Sequence, residues 1–301
     1  MSTVAITLPD GSVRQFDGPI TGAELAADIG PGLAKAALAI KIDDELIDLS
    51  RSIDCDSTVE IITRKSDDAL ELIRHDAAHV MAEAVQELYP GTQVTIGPAI
   101  EHGFYYDFAR DEAFTPDDLE KIEAKMHEIV KRDDAFVREE WDRKEAAKHF
   151  KDIGEKYKAQ IIQDLPADQD ISIYRQGDWL DLCRGPHVAH AGQVGASKLL
   201  EVSGTYFRGD ESAQPLQRIY GTAFGSKKEL KAHLQRLEEA RKRDHRRVGV
   251  ELGLFDQTGT MISSGTPDEW GSLIFREVPP GEGYLIRELA SPEVVSPALT
   301  V

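Results

Sequence analysis

The sequence predicts a multidomain α+β chain, with a β-grasp (ubiquitin-like) module leading into a larger α+β domain and then a linker helix. Three observations carry this. Residues 1–64 contain short alternating runs, tight-turn residues and one capped helix; from Ser66 the pattern changes to a long helical stripe flanked by strands; residues 227–252 read as a single charged helix.

In the first segment, Val4 to Leu8 alternates, Pro9-Asp10-Gly11 is a hairpin turn, and Ser12 to Phe16 returns. Thr21 with Glu24 forms a capping box that opens a short helix, stopped at Gly30. Ala36 to Ile42, a turn at Asp43-Asp44, and Thr58 to Thr63 supply further strands. No nucleophile, base or metal ligand is clustered here, so binding is the expected role. Cys55 is expected to be a small, partly buried apolar side chain.

Residues 66–225 form the second domain. A helix from Ser66 to about Leu88 aligns Leu70, Ile73, Ala77, Val80, Met81 and Ala84 near one stripe. Val94 to Ile100 and Phe104 to Phe108 read as strands joined at Glu101-His102-Gly103. Thr115-Pro116-Asp117-Asp118 starts a helix that runs to Arg132 and buries Leu119, Ile122, Met126 and Ile129. Val137 to Trp141 is a strand, Lys144 to Phe150 a short helix, and Ile171 to Phe207 is strand-rich. The helix over 227–252 carries Leu230, Leu234 and Leu237 on a narrow stripe. Beyond Gly253 the texture turns Gly-, Ser- and Pro-rich, and little stable structure is expected after about 256.

Composition limits the function classes. At 41% hydrophobic and 30% charged residues the chain is of ordinary globular type. Its start has no basic stretch followed by an apolar run, and no apolar run approaches the roughly 20 residues that span a bilayer. Two cysteines favour a reducing compartment, so the cytoplasm is expected. With 35 Lys and Arg against 54 Asp and Glu, the net charge of −19 argues against DNA or any nucleic acid coated by the whole surface. A local basic run remains at Arg241, Lys242, Arg243, Arg246 and Arg247, readable as a solvated helix face.

The chemistry concentrates in a split quartet, His75 and His79 in RHDAAHV and Cys183 and His187 in LCRGPHV. Each pair is separated by four, which on a helix stacks both side chains on one face. Three imidazoles and a thiolate suit a tetrahedral zinc or a polar hydrolytic pocket. Asp181 lies two residues before the cysteine, and Gly185-Pro186 stiffens the second pair. The His75-Asp76 dipeptide also fits an HD-type metal phosphohydrolase; no second His-Asp cluster supports that alternative, and Asp76 is expected on a different helix face from His79.

The order of β-grasp module, RHDAAHVMAEAV, IGPAIEHGFYYDF, GEKYK, WLDLCRGPHV, GTYFRGD, LQRIYGTAF and RLEEARKRDHRRVGVELGLF resembles the N-terminal half of bacterial threonyl-tRNA synthetases from residue 1 to about 255. The resemblance implies a TGS domain at 1–64, an editing domain of the threonyl/alanyl type at 66–225, and a linker helix at 227–252. It implies that His75, His79, Cys183 and His187 line an editing pocket for serine esterified to tRNA(Thr), with Asp181, Lys158 and Tyr106 as neighbours. His75 or His79 would orient or deprotonate water, Lys158 would stabilise the oxyanion, and Asp181 would hold the α-amino group of serine. Zinc at the quartet is permitted by the ligand set and used by alanine-editing relatives, whereas the resemblance to threonyl enzymes implies a quartet that works without a clear metal requirement, so the metal stays open. Arg241, Lys242, Arg243, Arg246 and Arg247 become candidates for tRNA phosphates.

The sequence departs from the family after 255. EWGSLIFREV (269–278) resembles the lead into the catalytic core, PPGEG interrupts it, and GYLIRELASPEVV is a faint remnant of the first class II motif. The ATP-binding motifs and the core zinc ligands are absent, so 253–301 reads as a truncated, poorly ordered remnant, with ligase activity expected only if a core is supplied elsewhere. Three readings follow: an editing hydrolase acting in trans, beside a full-length synthetase; a non-catalytic tRNA- or synthetase-binding module; and a synthetase fragment with no role of its own.

Overall fold

The computed structural model describes residues 3–243, 251–265, 275, 278, 282–288 and 299–300. Contacts divide the chain into two units, Met1–Leu230 and Lys231–Val301. Among the described residues no helix is long and apolar enough to cross a membrane.

The first unit begins with β1 (Val4–Thr7), β2 (Val13–Phe16), β3 (Ile20–Thr21), α1 (Gly22–Ile29), α2 (Pro31–Ala36), β4 (Ala37–Ile42), β5 (Glu45–Ile47), β6 (Ser52–Ile53) and β7 (Ser57–Thr63). The sheet order β2-β1-β7-β4-β5, with β1 parallel to β7, is the β-grasp arrangement. Val4, Ile6, Leu25, Ile40 and Val59 close its core. Thr21 and Glu24 form the capping box on α1. Asp43 and Asp44 both take positive φ (46° and 72°), as a two-residue hairpin between β4 and β5 requires. Helix α2 is an addition to the sequence reading: Pro31 sits in its first turn, where a missing N–H costs nothing. Cys55 is a correction, since it is exposed.

The same unit continues through α3 (Ala69–Leu88), β8 (Gln93–Val94), β9 (Ala99–Ile100), β10 (Gly103–Ala109), α4 (Pro116–Arg132), β11 (Phe136–Trp141), α5 (Arg143–Asp152), α6 (Lys156–Asp164), β12 (Ile171–Gln176), β13 (Trp179–Leu182), β14 (Ala196–Tyr206) and β15 (Pro215–Phe224). One sheet runs β14-β15-β10-β8 with β9 on β10, and a second runs β11-β12-β13. Helix α3 packs against α4, β10 and β15, and 14 of its 20 residues are buried, so an apolar stripe understates its burial. Leu38, Ala39 and Ile62 of the β-grasp join this core. The strand expected over 94–100 breaks in two. Pro98 has no N–H to donate, and Thr95 and Ile96 instead bond to Asp107 on β10.

Helix α4 starts and ends where the sequence places it, through a capping box between Thr115 and Asp118. Thr115→Ala is expected to lower stability by about 1 kcal/mol, measured from the urea unfolding midpoint. An unchanged midpoint would show that the cap contributes nothing.

Helix α7 (Lys227–Arg243) follows. In the second unit β16 (Leu252–Phe255), β17 (Met261–Gly265), β18 (Glu282–Glu288) and β19 (Leu299–Thr300) form a sheet in the order β17-β16-β18-β19. The described strands after 256 differ from the expectation of little regular structure there, while residues 244–250, the last part of the helix expected to about 252, lie outside the described residues. The β16–β17 turn is organised by Asp256, whose Oδ1 accepts the backbone N–H of Thr258 (2.8 Å) and Thr260 (2.9 Å). The 269–278 segment falls mostly outside the described residues, as does part of 283–295.

Candidate active site

A cleft of about 390 Å³ opens between α3, the irregular 95–98 segment, β10, α6 and the chain leaving β13. Helix α3 presents His75 and His79 one turn apart, with ring centroids 4.9 Å from each other. Strand β13 delivers Asp181 and Leu182 to the same cleft. The chain then leaves the sheet, pinned by Cys183 N–H to Ser172 O (3.2 Å) and Ser172 Oγ to Cys183 O (2.5 Å).

The Cys183–His187 pair is therefore not helical, in keeping with the strand-rich stretch expected to contain it. It spans a turn in which Gly185 has φ +71°, and a Cβ there would lie 2.0 Å from the Tyr174 hydroxyl. Only glycine satisfies both demands. The turn brings Cys183 Sγ to 3.1 Å from His75 Nε2 and lets it accept the Gly185 N–H at 3.3 Å.

His187 sits behind the cleft, 1% exposed. Its Nδ1 pairs with Asp76 Oδ1 at 2.5 Å, and Asp76 Oδ2 accepts the Val188 N–H at 3.0 Å. Its ring stacks on Phe136 (centroids 4.9 Å, 13° between planes) and lies 4.5 Å from His79 and 4.7 Å from His75. Its Nε2 is buried without a hydrogen-bond partner.

A second polar group borders the quartet. Lys158 Nζ lies 2.5 Å from Asp181 Oδ1 and donates to the Tyr106 hydroxyl at 2.9 Å; Tyr106 donates to Asp181 Oδ2 at 2.7 Å. His79 Nδ1 is 3.6 Å from the same Oδ2. The sequence reading gave Lys158 and Asp181 separate tasks on a substrate. Here they form one buried ion pair, so a substrate amine must compete with Lys158 for the carboxylate.

Electrostatics divides the histidines. Burial lowers the pKa of His75 against the pull of Asp76 and Asp181, and lowers that of His79 well below the usual value, helped by His187, His75 and Lys158. His187 behaves oppositely: burial opposes a charge, but Cys183 and Asp76 outweigh it and push the pKa up to about 9. His75 and His79 are thus neutral proton acceptors near neutral pH, beside a charged His187.

The donor atoms of His75, His79, Cys183 and His187 all lie within 4.8 Å of one another, so the cluster could hold a metal ion. The donor chemistry fits. Bonds of about 2.0–2.3 Å in a tetrahedron place donors roughly 3.3–3.8 Å apart, so the set is within about 1 Å of that span. His187 also has the arrangement common in metal ligands, one ring nitrogen held by a carboxylate and the other unpartnered. An ion there would replace the His187 proton.

All seven expected residues, His75, His79, Tyr106, Lys158, Asp181, Cys183 and His187, converge on this cleft and its wall. Asp76 was missed. Expected on a different helix face from His79, it pairs with His187, whose ring lies 4.5 Å from that of His79. Asp48 of the β-grasp was also missed: its Oδ1 accepts the His187 backbone N–H at 2.8 Å. No local pattern marks it. Arg241, Lys242 and Arg243 lie on the backbone of α7, with side chains outside the description; Arg246 and Arg247 lie outside the described residues.

Comparison with known proteins locates these features. Residues 4–63 match the TGS domain, and residues 171–220 match the threonyl and alanyl tRNA synthetase second additional domain. A threonine–tRNA ligase of Paramagnetospirillum magneticum is 60% identical over 301 residues, covering 98% of this chain and 47% of the relative. That of Acidiphilium cryptum is 58% identical over 299 residues (98% and 46%), and that of Rhodospirillum rubrum 63% over 253 (84% and 39%). The chain spans about half the length of two of these curated relatives, those of Paramagnetospirillum magneticum and Acidiphilium cryptum.

Proposed function

Since the chain belongs, by its TGS and second additional domains, with the threonyl-tRNA synthetases, we propose that its cleft hydrolyses the ester joining mischarged serine to tRNA(Thr). The observation that carries this reading is the convergence of two neutral histidines, a thiol and a buried Lys–Asp–Tyr group on one cleft within an editing-type domain.

The need for such a site is energetic. Serine differs from threonine by one methyl, worth only about 1–3 kcal/mol in a binding pocket. A second pocket that admits serine and excludes the extra methyl removes the residual error. Ester hydrolysis needs a positioned water, a proton acceptor and donors for the developing oxyanion. His75 or His79 takes the proton; burial holds both neutral, with the stronger depression at His79. Lys158, backed by Asp181 and linked to the Tyr106 hydroxyl, supplies positive charge at the cleft wall. Cys183 is held by His75 and the Gly185 N–H and serves the site's shape and donor set. If zinc is bound by the quartet, it would supply Lewis acidity and a more acidic water.

The partner on this reading is seryl-tRNA(Thr), in the cytoplasm, approached in part by the basic run at 241–247, with a full-length synthetase as the source of the mischarged product.

The test is deacylation of Ser-tRNA(Thr) beside Thr-tRNA(Thr). Selective loss of the seryl ester is expected, slowed about 10²–10⁴-fold by His75→Ala. If the folded chain spares both esters, the hydrolytic reading fails; retained tRNA binding would then identify a binding module.

A further inference from the structure

Asp48 belongs to the β-grasp, on the connection after β5, yet its carboxylate points out of that module. It is only 8% exposed. Oδ1 accepts the backbone N–H of His187 at 2.8 Å, and Oδ2 accepts the Tyr174 hydroxyl at 2.7 Å. Tyr174 in turn covers the Cys183–His187 turn: its hydroxyl occupies the space a side chain at Gly185 would need, and its ring centroid is 4.2 Å from that of His187. One carboxylate thus fixes both the backbone of His187 and the aromatic wall against its ring. Asp76 holds the other side, through His187 Nδ1 and Val188 N–H.

The seam between the two modules does not depend on Asp48. Leu38, Ala39 and Ile62 share the core of the second domain, Gln193 Nε2 donates to Ala37 O at 2.9 Å, and Arg64 donates to Gln193 O (2.6 Å) and Gly225 O (2.7 Å). Docking is secured elsewhere, so the bonds of Asp48 act on the turn itself.

We infer that Asp48 is a positioning residue for the proposed ester hydrolysis, through which the β-grasp module completes the cleft of the neighbouring domain. The inference rests on the hydrolytic reading for its kinetic consequence but not for its structural one. Two readouts on the full chain therefore test it: kcat and KM for Ser-tRNA(Thr) deacylation, and hydrogen exchange of the amides in 183–188.

Asp48→Ala is expected to lower kcat by about 10–100-fold with KM within about twofold, because a displaced turn misplaces the reacting groups without removing binding contacts. Exchange should accelerate in 183–188 and not across the β-grasp. Asp48→Asn and Tyr174→Phe, each keeping the volume and part of the bonding, should fall between, and they carry the test if the alanine variant does not fold. Asp56→Ala is the control. It removes an exposed carboxylate bond, to Ala5 N–H at 2.7 Å, that stays inside the β-grasp, and it should leave both readouts unchanged. Wild-type rates and exchange in the Asp48 variants, or equal losses in Asp56→Ala, overturn the inference. If the wild-type chain does not hydrolyse the ester, exchange alone decides: local acceleration in Asp48→Ala upholds the positioning role while the hydrolytic reading falls, and unchanged exchange overturns the positioning role as well.

Discussion

Asp76→Asn is expected to slow seryl-ester hydrolysis by about 10–100-fold, and Asp76→Ala to destabilise the fold by about 3–5 kcal/mol in addition. Both oxygens of Asp76 are committed, one to His187 Nδ1 and the other to Val188 N–H, and neither the Asp76 nor the His187 side chain has exposed surface. Asparagine keeps the shape but has one acceptor, so its amide N–H₂ must face one of these two donors. Alanine leaves both unpaired where water cannot reach. The charge has its own signature. A His187 pKa pushed up to about 9 gives stability that is complete below its ordinary value of 6.5 and lost as pH rises through about 9. The stability gap between wild type and Asp76→Asn should therefore be widest near about pH 6 and shrink by about pH 10. Urea midpoints at the two pH values measure it. Equal gaps would mean that Asp76 acts through shape alone.

That Asp76 was overlooked shows where sequence legibility ends. Local signals read correctly because they are settled by neighbours in the chain. Thr115 and Asp118 fix the start of α4, Thr21 and Glu24 that of α1, and Asp43-Asp44 the hairpin, whatever lies around them. The residue types of the quartet were legible too, since three imidazoles and a thiol at paired spacing are unusual. Their geometry was not. A separation of four means one face only on a helix, and Cys183–His187 lies on a turn shaped by Tyr174 of β12, eleven residues before Gly185 along the chain. The partners that set proton positions come from distant elements, Asp76 from α3 and Asp48 from the β-grasp. Helix α6, which carries Lys158, was known only as the motif GEKYK, because its hydrophobic face is short and its cap position, Glu155, makes no side-chain cap.

Lys158→Met is expected to abolish hydrolysis and destabilise the chain by about 3–5 kcal/mol, since it leaves Asp181 as an uncompensated buried charge. The side chains of Lys158 and Asp181 are 3% and 1% exposed. A charge pair at that depth loses much of its Coulombic gain to desolvation, so the pair is a poor source of stability even though breaking it is costly. The double variant Lys158→Met/Asp181→Leu removes both charges at similar volume and should recover most of the lost stability. It should recover none of the hydrolysis, because the positive charge beside the cleft and the acceptor for the Tyr106 hydroxyl are both gone. Tyr106→Phe separates the two effects further: the ring stays packed on Gly97 and Phe108, while the link between Lys158 and Asp181 Oδ2 is cut. Unfolding midpoints and deacylation rates for the single, double and Tyr106 variants form one series. Were the double variant as active as wild type, the buried ion pair would belong to the packing of α6 against β13 rather than to the chemistry of the cleft. Were it as unstable as Lys158→Met, the cost would lie in lost side-chain packing rather than in the stranded charge. Restored stability with no activity is the outcome that assigns the pair to the reaction: a buried charge kept at an energetic cost because the developing oxyanion needs it.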